Sequence, residues 1–465
     1  MTADTTTRSP WRIFGLVAGS VALATLNFSM IFVAFGEISD SFDASDSTIS
    51  WALTGFAITT AAVMVPGGWL ADRFGRTRIF LIGFALFLAG SGGVAVAPSA
   101  EFLITARVLQ AVGLAIEAPA SFALVLDAFP KRMRSTAVGA MGAAGGVAAA
   151  LGPLVGGALV EALGWRWAFF CNVPVGIVVL ALVGPRLPAN RVHLARKTPD
   201  LIGVLLLMFG VGSLALGIVQ SDDWGFSDER TVAALIVALI LLAGLVKRSR
   251  VHPEPILYVP LFANHDFRVG SALSFFLAGN FMGSFLAFVT FLHEGWGLSL
   301  FKAGLAVGLI PAIGGPMSVV SGRLADRFGH RTVILPGSLM MAAGGLWMWS
   351  AAGSQPQIWS LWVPVVVVYG IGVGLGHAAC QAAALATVTE DRLGIGGAMN
   401  RIFMEIGGTI SIAIVIALFV RYDDPVDGLR ASMILLVIAS AISAPIAASL
   451  RNRGHAAPFR SSTND

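Results

Sequence analysis

Charge is scarce in this sequence. Lysine, arginine, aspartate and glutamate make up 12% of 465 residues, about half the share of a soluble globular chain. So little charge cannot cover a water-facing surface of ordinary size. Cysteine is almost absent as well: Cys171 and Cys380 lie far apart, each in an apolar run. That excludes a disulfide framework and a thiolate metal site, and both read as small buried hydrophobes. No Walker loop is present, so ATP is not the expected driver. No GxSxG, HExxH or CxxC occurs, so no enzyme, metal or cofactor constellation is expected. No basic face interleaved with aromatics points to nucleic acid. The opening MTADTTTRSPWR leads into an apolar stretch from Ile13 to Phe35 without a small-residue cleavage site. That stretch is too long for a signal-peptide core and reads as a first spanning helix.

What is there is hydrocarbon. Hydrophobic residues make up 56% of the chain and the mean hydropathy is +0.81. Apolar runs long enough to span a bilayer follow one another, and in lipid such runs are helices because every backbone polar group must be satisfied within the segment. The expected spans are 13–36, 50–71, 79–97, 102–127, 136–160, 167–184, 200–220, 231–247, 267–292, 303–324, 332–352, 360–386, 395–420 and 428–450. The fourth is the least clean, interrupted by Arg107, Glu117 and Asp127. Net charge is only +4, but its placement is informative. Alternate loops hold Arg73, Arg76 and Arg78; Lys131, Arg132 and Arg134; Arg186, Arg191, Arg196 and Lys197; Lys247, Arg248 and Arg250; Arg327 and Arg331; and the tail adds Arg451, Arg453 and Arg460. The opposite loops hold Arg166, Arg230, Lys302, Arg421 and Arg430 and most of the tryptophans. This bias predicts both termini in the cytoplasm and an aromatic belt at the outer interface.

The chain repeats itself. GGWLADRFGRTRIF at 67–80 returns as SGRLADRFGHRTVI at 321–334, each between two apolar helices. Two parallel six-helix halves follow, with spans 200–220 and 231–247 outside the repeat. The expected divisions are 13–184 for the first bundle, 185–266 for a linker containing the two extra helices, 267–450 for the second bundle and 451–465 for a polar cytoplasmic tail. The fold class is therefore an all-α polytopic membrane protein, N-in and C-in.

Three motifs carry chemistry. In the repeated loop, Gly68, Gly75, Gly322 and Gly329 suit close helix approach and sharp turns. Asp72 and Asp326 are able to accept from free N–H groups at a neighbouring helix start, and Arg73, Arg76 and Arg327 face water and head groups. With its duplicate, this loop resembles the signature loop of the major facilitator superfamily, and the resemblance implies a gate latch. Arg107 and Gln110 in ARVLQAVG match that family's fourth-helix pattern, with Ala111 where glycine is usual; in the family this arginine is implicated in proton coupling. Gly152, Pro153, Gly156 and Gly157 on the fifth span bring helices close and introduce a kink, and they look like the family's antiporter signature. The following GWRWAFFCNVPVG and the two extra helices are similar to the fourteen-helix drug:proton antiporter subfamily, over roughly 13–450. A purely packing role for the glycine-proline motif remains the alternative.

One departure matters. The subfamily's first helix usually carries an aspartate near the membrane middle, and here that place holds Asn27, which cannot titrate. Glu117 is the replacement candidate. It lies seven residues from Gln110 on the same helical face, and an acid within a span is a functional site by default. The alternatives are a structural partner for a polar group on another helix, or a position near water. Arg401 and Glu405, one turn apart, form a second candidate cavity site or neutralise one another. His377 is a site or a hydrogen-bonded core histidine. The expected function is a secondary transporter in the plasma membrane: a monomeric proton-coupled antiporter exporting amphipathic or cationic small molecules. Its partners are substrate, protons and the lipid bilayer. The alternatives are a lipid or metabolite substrate with altered coupling, or a non-transporting receptor or scaffold.

Overall fold

The computed structural model describes residues 10–130, 134–183, 187, 200–225, 227–253, 255–388 and 393–450. No strand occurs among them. The linker arginines, most of 185–199 and the tail 451–465 lie outside the described residues.

Among the described residues, fourteen long helical segments follow the hydropathy of the sequence. They are α1 (Pro10–Phe42), α2 (Trp51–Phe74), α3 (Arg76–Ala95), α4 (Ala100–Ala128), α5 (Arg134–Leu163), α6 (Trp165–Phe170 and Asn172–Val183, broken at Cys171), α7 (Leu201–Val219) and α8 (Glu229–Ser249). The second half holds α9 (His265–Thr290), α10 (Leu300–Phe328), α11 (Arg331–Ala351), α12 (Val363–Leu385), α13 (Leu393–Arg421) and α14 (Pro425–Ala448). Twelve pass as single apolar spans by length and composition; α1 and α2 bend by 41° and 46°, and counting each as one span gives fourteen. The bend in α2 falls at Pro66, where the ring removes a backbone donor and clashes with the preceding turn. Contrary to its broken-up appearance in sequence, α4 is continuous, started by Ser99, whose side chain accepts from the Phe102 N–H.

Two six-helix bundles result, α1–α6 and α9–α14, with α7 and α8 extra. Packing within them repeats: α4 packs on α2 and α3 as α12 packs on α10 and α11, and α1 on α5 as α9 on α13. The bundles meet along two seams, α5 with α10 and α2 with α13. α7 lies over the second seam, touching both α2 and α13, and α8 packs outside α7. Ile58 of α2, Leu207 and Val211 of α7 and Ile402 of α13 share one apolar cluster there.

Without a hydrophobic driving force between helices in lipid, close approach depends on small residues. A Cβ added to Gly83 would lie 2.7 Å from the backbone nitrogen of Glu117, and one on Gly113 would lie 2.3 Å from that of Phe87. The second half repeats the contact: at Gly337 a Cβ would meet the Gly376 nitrogen at 2.9 Å. The bundle interface tapers. At Gly304 a Cβ would lie 2.1 Å from the Pro153 carbonyl and at Gly308 2.8 Å from that of Ala150. Further towards the basic loops, Gly146 clears Gly315 by 3.8 Å, and Gly145 has nothing within 4 Å. Along the α5–α10 seam the bundles therefore touch at the end away from the basic loops and separate towards them.

Gly113→Ala is expected to lower the thermal midpoint in detergent, a penalty of about 1–3 kcal/mol for forced separation. Gly15→Ala, which meets nothing within 4 Å, is expected to leave it unchanged. Equal midpoints for the two variants would overturn the packing argument.

Candidate functional site

α1 and α4 run antiparallel, so residues seven apart on one meet residues seven apart on the other. Asn27 Oδ1 accepts from Gln110 Nε2 at 3.0 Å and lies 3.4 Å from Arg107 Nη1. Seven residues away on each helix, Ser20 Oγ lies 2.7 Å from Glu117 Oε1. The two rungs are about 10 Å apart along the helices. The first rung extends sideways: Gln110 Nε2 also donates to Ser91 Oγ on α3, which accepts in turn from Asn172 on α6. All of these residues are buried.

Arg107 is the least compensated group in this network. It is fully buried. Its Nε donates to the Ala52 carbonyl at 3.0 Å and its Nη1 to Gln110 Oε1 at 2.5 Å. The guanidinium lies 4.1 Å from the Phe56 ring centroid and 5.8 Å from that of Phe169. Among the described residues it forms no ion pair, and its Nη2 and Asn27 Nδ2 have no hydrogen-bond partner. Desolvating a cation costs several kcal/mol. The aromatic contact returns about 2 kcal/mol and each charge-assisted hydrogen bond about 1.5–3 kcal/mol. Among the described residues the charge is thus met by neutral partners alone.

Glu117 sits differently. Ser20 Oγ is also 2.8 Å from the Val17 carbonyl, so one hydroxyl proton faces two oxygen acceptors.

The second bundle has the same scaffold without the charges. Gly90 on α3 faces Gln110, and Gly344 on α11 faces Tyr369. Gly113 and Glu117 face Gly83 as Gly372 and Gly376 face Gly337. By this register Tyr369 stands for Gln110, Gly376 for Glu117 and Val366 for Arg107. Tyr369 Oη bonds Asn280 on α9 and Ser284 Oγ at 2.7 Å, and Asn280 Nδ2 donates to Ser440 Oγ on α14. Sequence reasoning missed this neutral network, although Tyr369 is one of only three tyrosines and lies mid-span.

Arg401 and Glu405 on α13 pair with each other at 2.6 Å. Arg401 remains half exposed. The His377 ring lies 5.8 Å from Phe281, and its Nδ1 is buried without a partner. Among the described residues no hydrogen bond joins the pair or His377 to the Arg107 network.

In the first basic loop, Arg76 bridges two acids. It pairs with Asp72 at 3.2 Å and with Asp127 at the end of α4. Asp127 was visible in sequence only as an interruption of the fourth span. Gly75 turns the chain at φ +98° and Gly329 at φ +91°, a region that favours glycine. Gly68 and Gly322 do not make the close approach expected of them. The tight position is Gly67, where a Cβ would lie 2.5 Å from the Ala115 carbonyl; Gly68 makes an ordinary contact and Gly322 faces open space. Arg73 and Arg327 are exposed and lie against Trp69 and Phe328. The Asp326 side chain is outside the described residues.

The glycine-proline motif lies on the bundle interface. α5 runs unbroken through Gly152 and Pro153. A Cβ at Gly156 would lie 3.1 Å from Met30 Cα on α1, and one at Gly157 would lie 2.6 Å from the Leu300 carbonyl on α10. One turn on, Glu161 Oε2 accepts from the Phe301 N–H at 3.1 Å.

The sequence model of the Major Facilitator Superfamily matches this chain twice, over residues 17–289 and 271–464. The chain is 30% identical over 410 residues to the tetracenomycin C resistance and export protein of Streptomyces glaucescens, covering 87% of this chain and 75% of that protein. It is 29% identical over 413 residues to the multidrug resistance protein B homolog of Mycobacterium tuberculosis (strain H37Rv), covering 87% and 75%. The solved structure of the POT family transporter PepTSo superposes with a TM-score of 0.70 at 14% identity, over 94% of this chain and 98% of that one. A D-xylose–proton symporter structure superposes at 0.67 and 15% identity, over 95% and 98%; at such identity these two bear on fold alone. A multi-pass protein of the cell membrane with two repeated six-helix bundles, this chain is a transporter belonging to the Major Facilitator Superfamily.

Proposed function

We propose that the chain exports amphipathic or cationic drug-like molecules in exchange for protons, with Glu117 as the group that takes up and releases the proton. The observation carrying this reading is the arrangement at Ser20. With Glu117 ionised, the single Ser20 proton serves either the carboxylate or the Val17 carbonyl. With Glu117 protonated, its O–H donates to Ser20 and Ser20 donates to Val17, so all three oxygens are satisfied. Buried polar groups strongly favour such completion. Gaining or losing this proton therefore changes how α1 is held to α4.

Arg107 is a fixed cation ten residues along the same helix, and it holds Asn27 and Gln110 in one orientation. The resistance and export proteins to which the chain is similar support a drug-like substrate. The half-exposed Arg401–Glu405 pair and His377 support recognition on the second bundle. Residues 13–184 and 267–450 rock against each other as two units, joined by 185–266, with 451–465 as a cytoplasmic tail and a monomer as the working unit. The basic loops face the cytoplasm, so the α5–α10 seam as described is open on the inner side. The Arg76 bridge to Asp72 and Asp127 latches the inner face of the first bundle.

Asn27, which cannot titrate, favours a second reading: a lipid or metabolite substrate carried with altered coupling. Transport in proteoliposomes under an imposed pH gradient separates the two. A fluorescent cationic drug is expected to accumulate in wild-type vesicles, and Glu117→Gln, which keeps a hydrogen bond to Ser20, is expected to reduce gradient-driven uptake by at least about tenfold while sparing substrate exchange without a gradient. Equal gradient-driven uptake in the variant removes Glu117 from coupling. No uptake of any cation by the wild type favours the second reading.

Rocking is tested where the bundles touch. Glu161→Cys with Phe301→Cys, in a background where Cys171 and Cys380 are serine, is expected to stop transport when joined by a short thiol crosslinker and to recover when the link is cleaved. Undiminished transport in the crosslinked protein would overturn rocking about this interface.

A further inference from the structure

At the basic end of α8 an open groove of about 480 Å³ is lined by Gly244, Lys247, Arg248, Val251, His252 and Pro253. Three of these side chains carry or can take positive charge. Arg248 is held in place: its Nε donates to Asp200 Oδ1 at 2.6 Å, and the fully buried Asp200 also accepts from the Gly203 N–H at 2.8 Å to start α7. A guanidinium has further N–H donors beyond the one given to Asp200. Buried Asp200 offsets one unit of charge, Lys247 on the lining carries a second, and Glu254 follows Pro253 in the sequence.

The surroundings decide what kind of anion fits. Of the twelve single spans α8 is the least enclosed, with 17% of its apolar window buried. Ile236, Leu239, Ile240 and Val246 are exposed along it, and Val251 at the groove is 83% exposed. The other end of α8 carries Asp228 and Glu229 beside Arg230. One helix thus presents a long aliphatic face to hydrocarbon with a cationic groove at one end only. A soluble anion has no use for the aliphatic face, whereas a phospholipid uses both. We propose that this groove binds the phosphate head group of an anionic phospholipid, with its acyl chains lying along α8. The site is independent of the transport cavity.

Native mass spectrometry of the purified full-length chain tests this, titrated with phosphatidylglycerol, with phosphatidylcholine of the same chains, and with inorganic phosphate. The first phosphatidylglycerol is expected to bind at least about tenfold more tightly than phosphatidylcholine. Lys247→Gln is expected to weaken it about fivefold, the usual effect of one surface cation. Val251→Glu, which places an anion in the groove at an exposed position, is expected to abolish the preference. Arg250→Gln, exposed but outside the groove, is expected to change nothing. Equal affinity for the two lipids, or an Arg250→Gln loss matching that of Lys247→Gln, overturns the site in favour of diffuse surface charge. Displacement of the lipid by millimolar inorganic phosphate overturns the lipid assignment and gives the groove to a soluble anion.

Discussion

Polar groups inside these bundles are held where helices come into near backbone contact, and between α3 and α4 glycine makes that contact possible. Gly83 and Gly90 let α3 lie against α4, and Gly113 answers from the other side. Their approach places Ser91 within 2.6 Å of Gln110 Nε2, and through Gln110 it orients Asn27 and Arg107. In water such side chains would be solvated singly. In hydrocarbon an unsatisfied polar atom costs several kcal/mol, so the network's geometry follows from the glycine spacing that allows it. Arg107 depends most on this arrangement, since among the described residues neutral donors, acceptors and two phenylalanine rings surround it and no acid pairs with it.

The same scaffold is built twice and charged once. Gly337, Gly344 and Gly372 reproduce the glycine contacts in the second bundle, and Asn280 with Tyr369 reproduces the polar link between its first and fourth helices. Val366 and Gly376 stand where Arg107 and Glu117 would be. The second bundle has an ion pair at a different place, on α13, where Arg401 and Glu405 neutralise one another. A neutral network is a stable solution for this geometry, as Tyr369 demonstrates. The charged version in α4 is therefore an addition that packing alone does not require.

Much of the architecture was legible in the sequence because its cause is local. Apolar runs set the spans within a few residues, and the duplicated LADRFG loop announced the repeat. Pairings between helices were not legible. Asn27 with Gln110, and Ser20 with Glu117, require knowing that α1 is antiparallel to α4 and in which register, which no single helix records. Asp127 read as an interruption of the fourth span, yet it meets Arg76 across fifty-one positions. The loop glycines were legible as a motif but not one by one: Gly75 turns the chain and Gly67 touches the neighbouring helix, while Gly322 faces open space. Composition cannot separate these roles, since each depends on what lies opposite.

The two extra helices are placed with the same economy. The α5–α10 seam is closed by glycine against backbone at one end and opens towards the other, leaving no room there for a further helix at the tight end. The α2–α13 seam is packed instead by aliphatic side chains, and Leu207 and Val211 of α7 fit against Ile58 and Ile402 from the two bundles. α7 is therefore bound to both bundles across the seam whose contacts are soft and side-chain mediated. Branched side chains can slide over one another with small losses of dispersion energy, whereas a glycine–carbonyl contact is either made or broken. Any relative motion of the bundles must break the first seam at its tight end and shear the second beneath α7. With Asp200 anchoring α7 to Arg248, α8 moves with it.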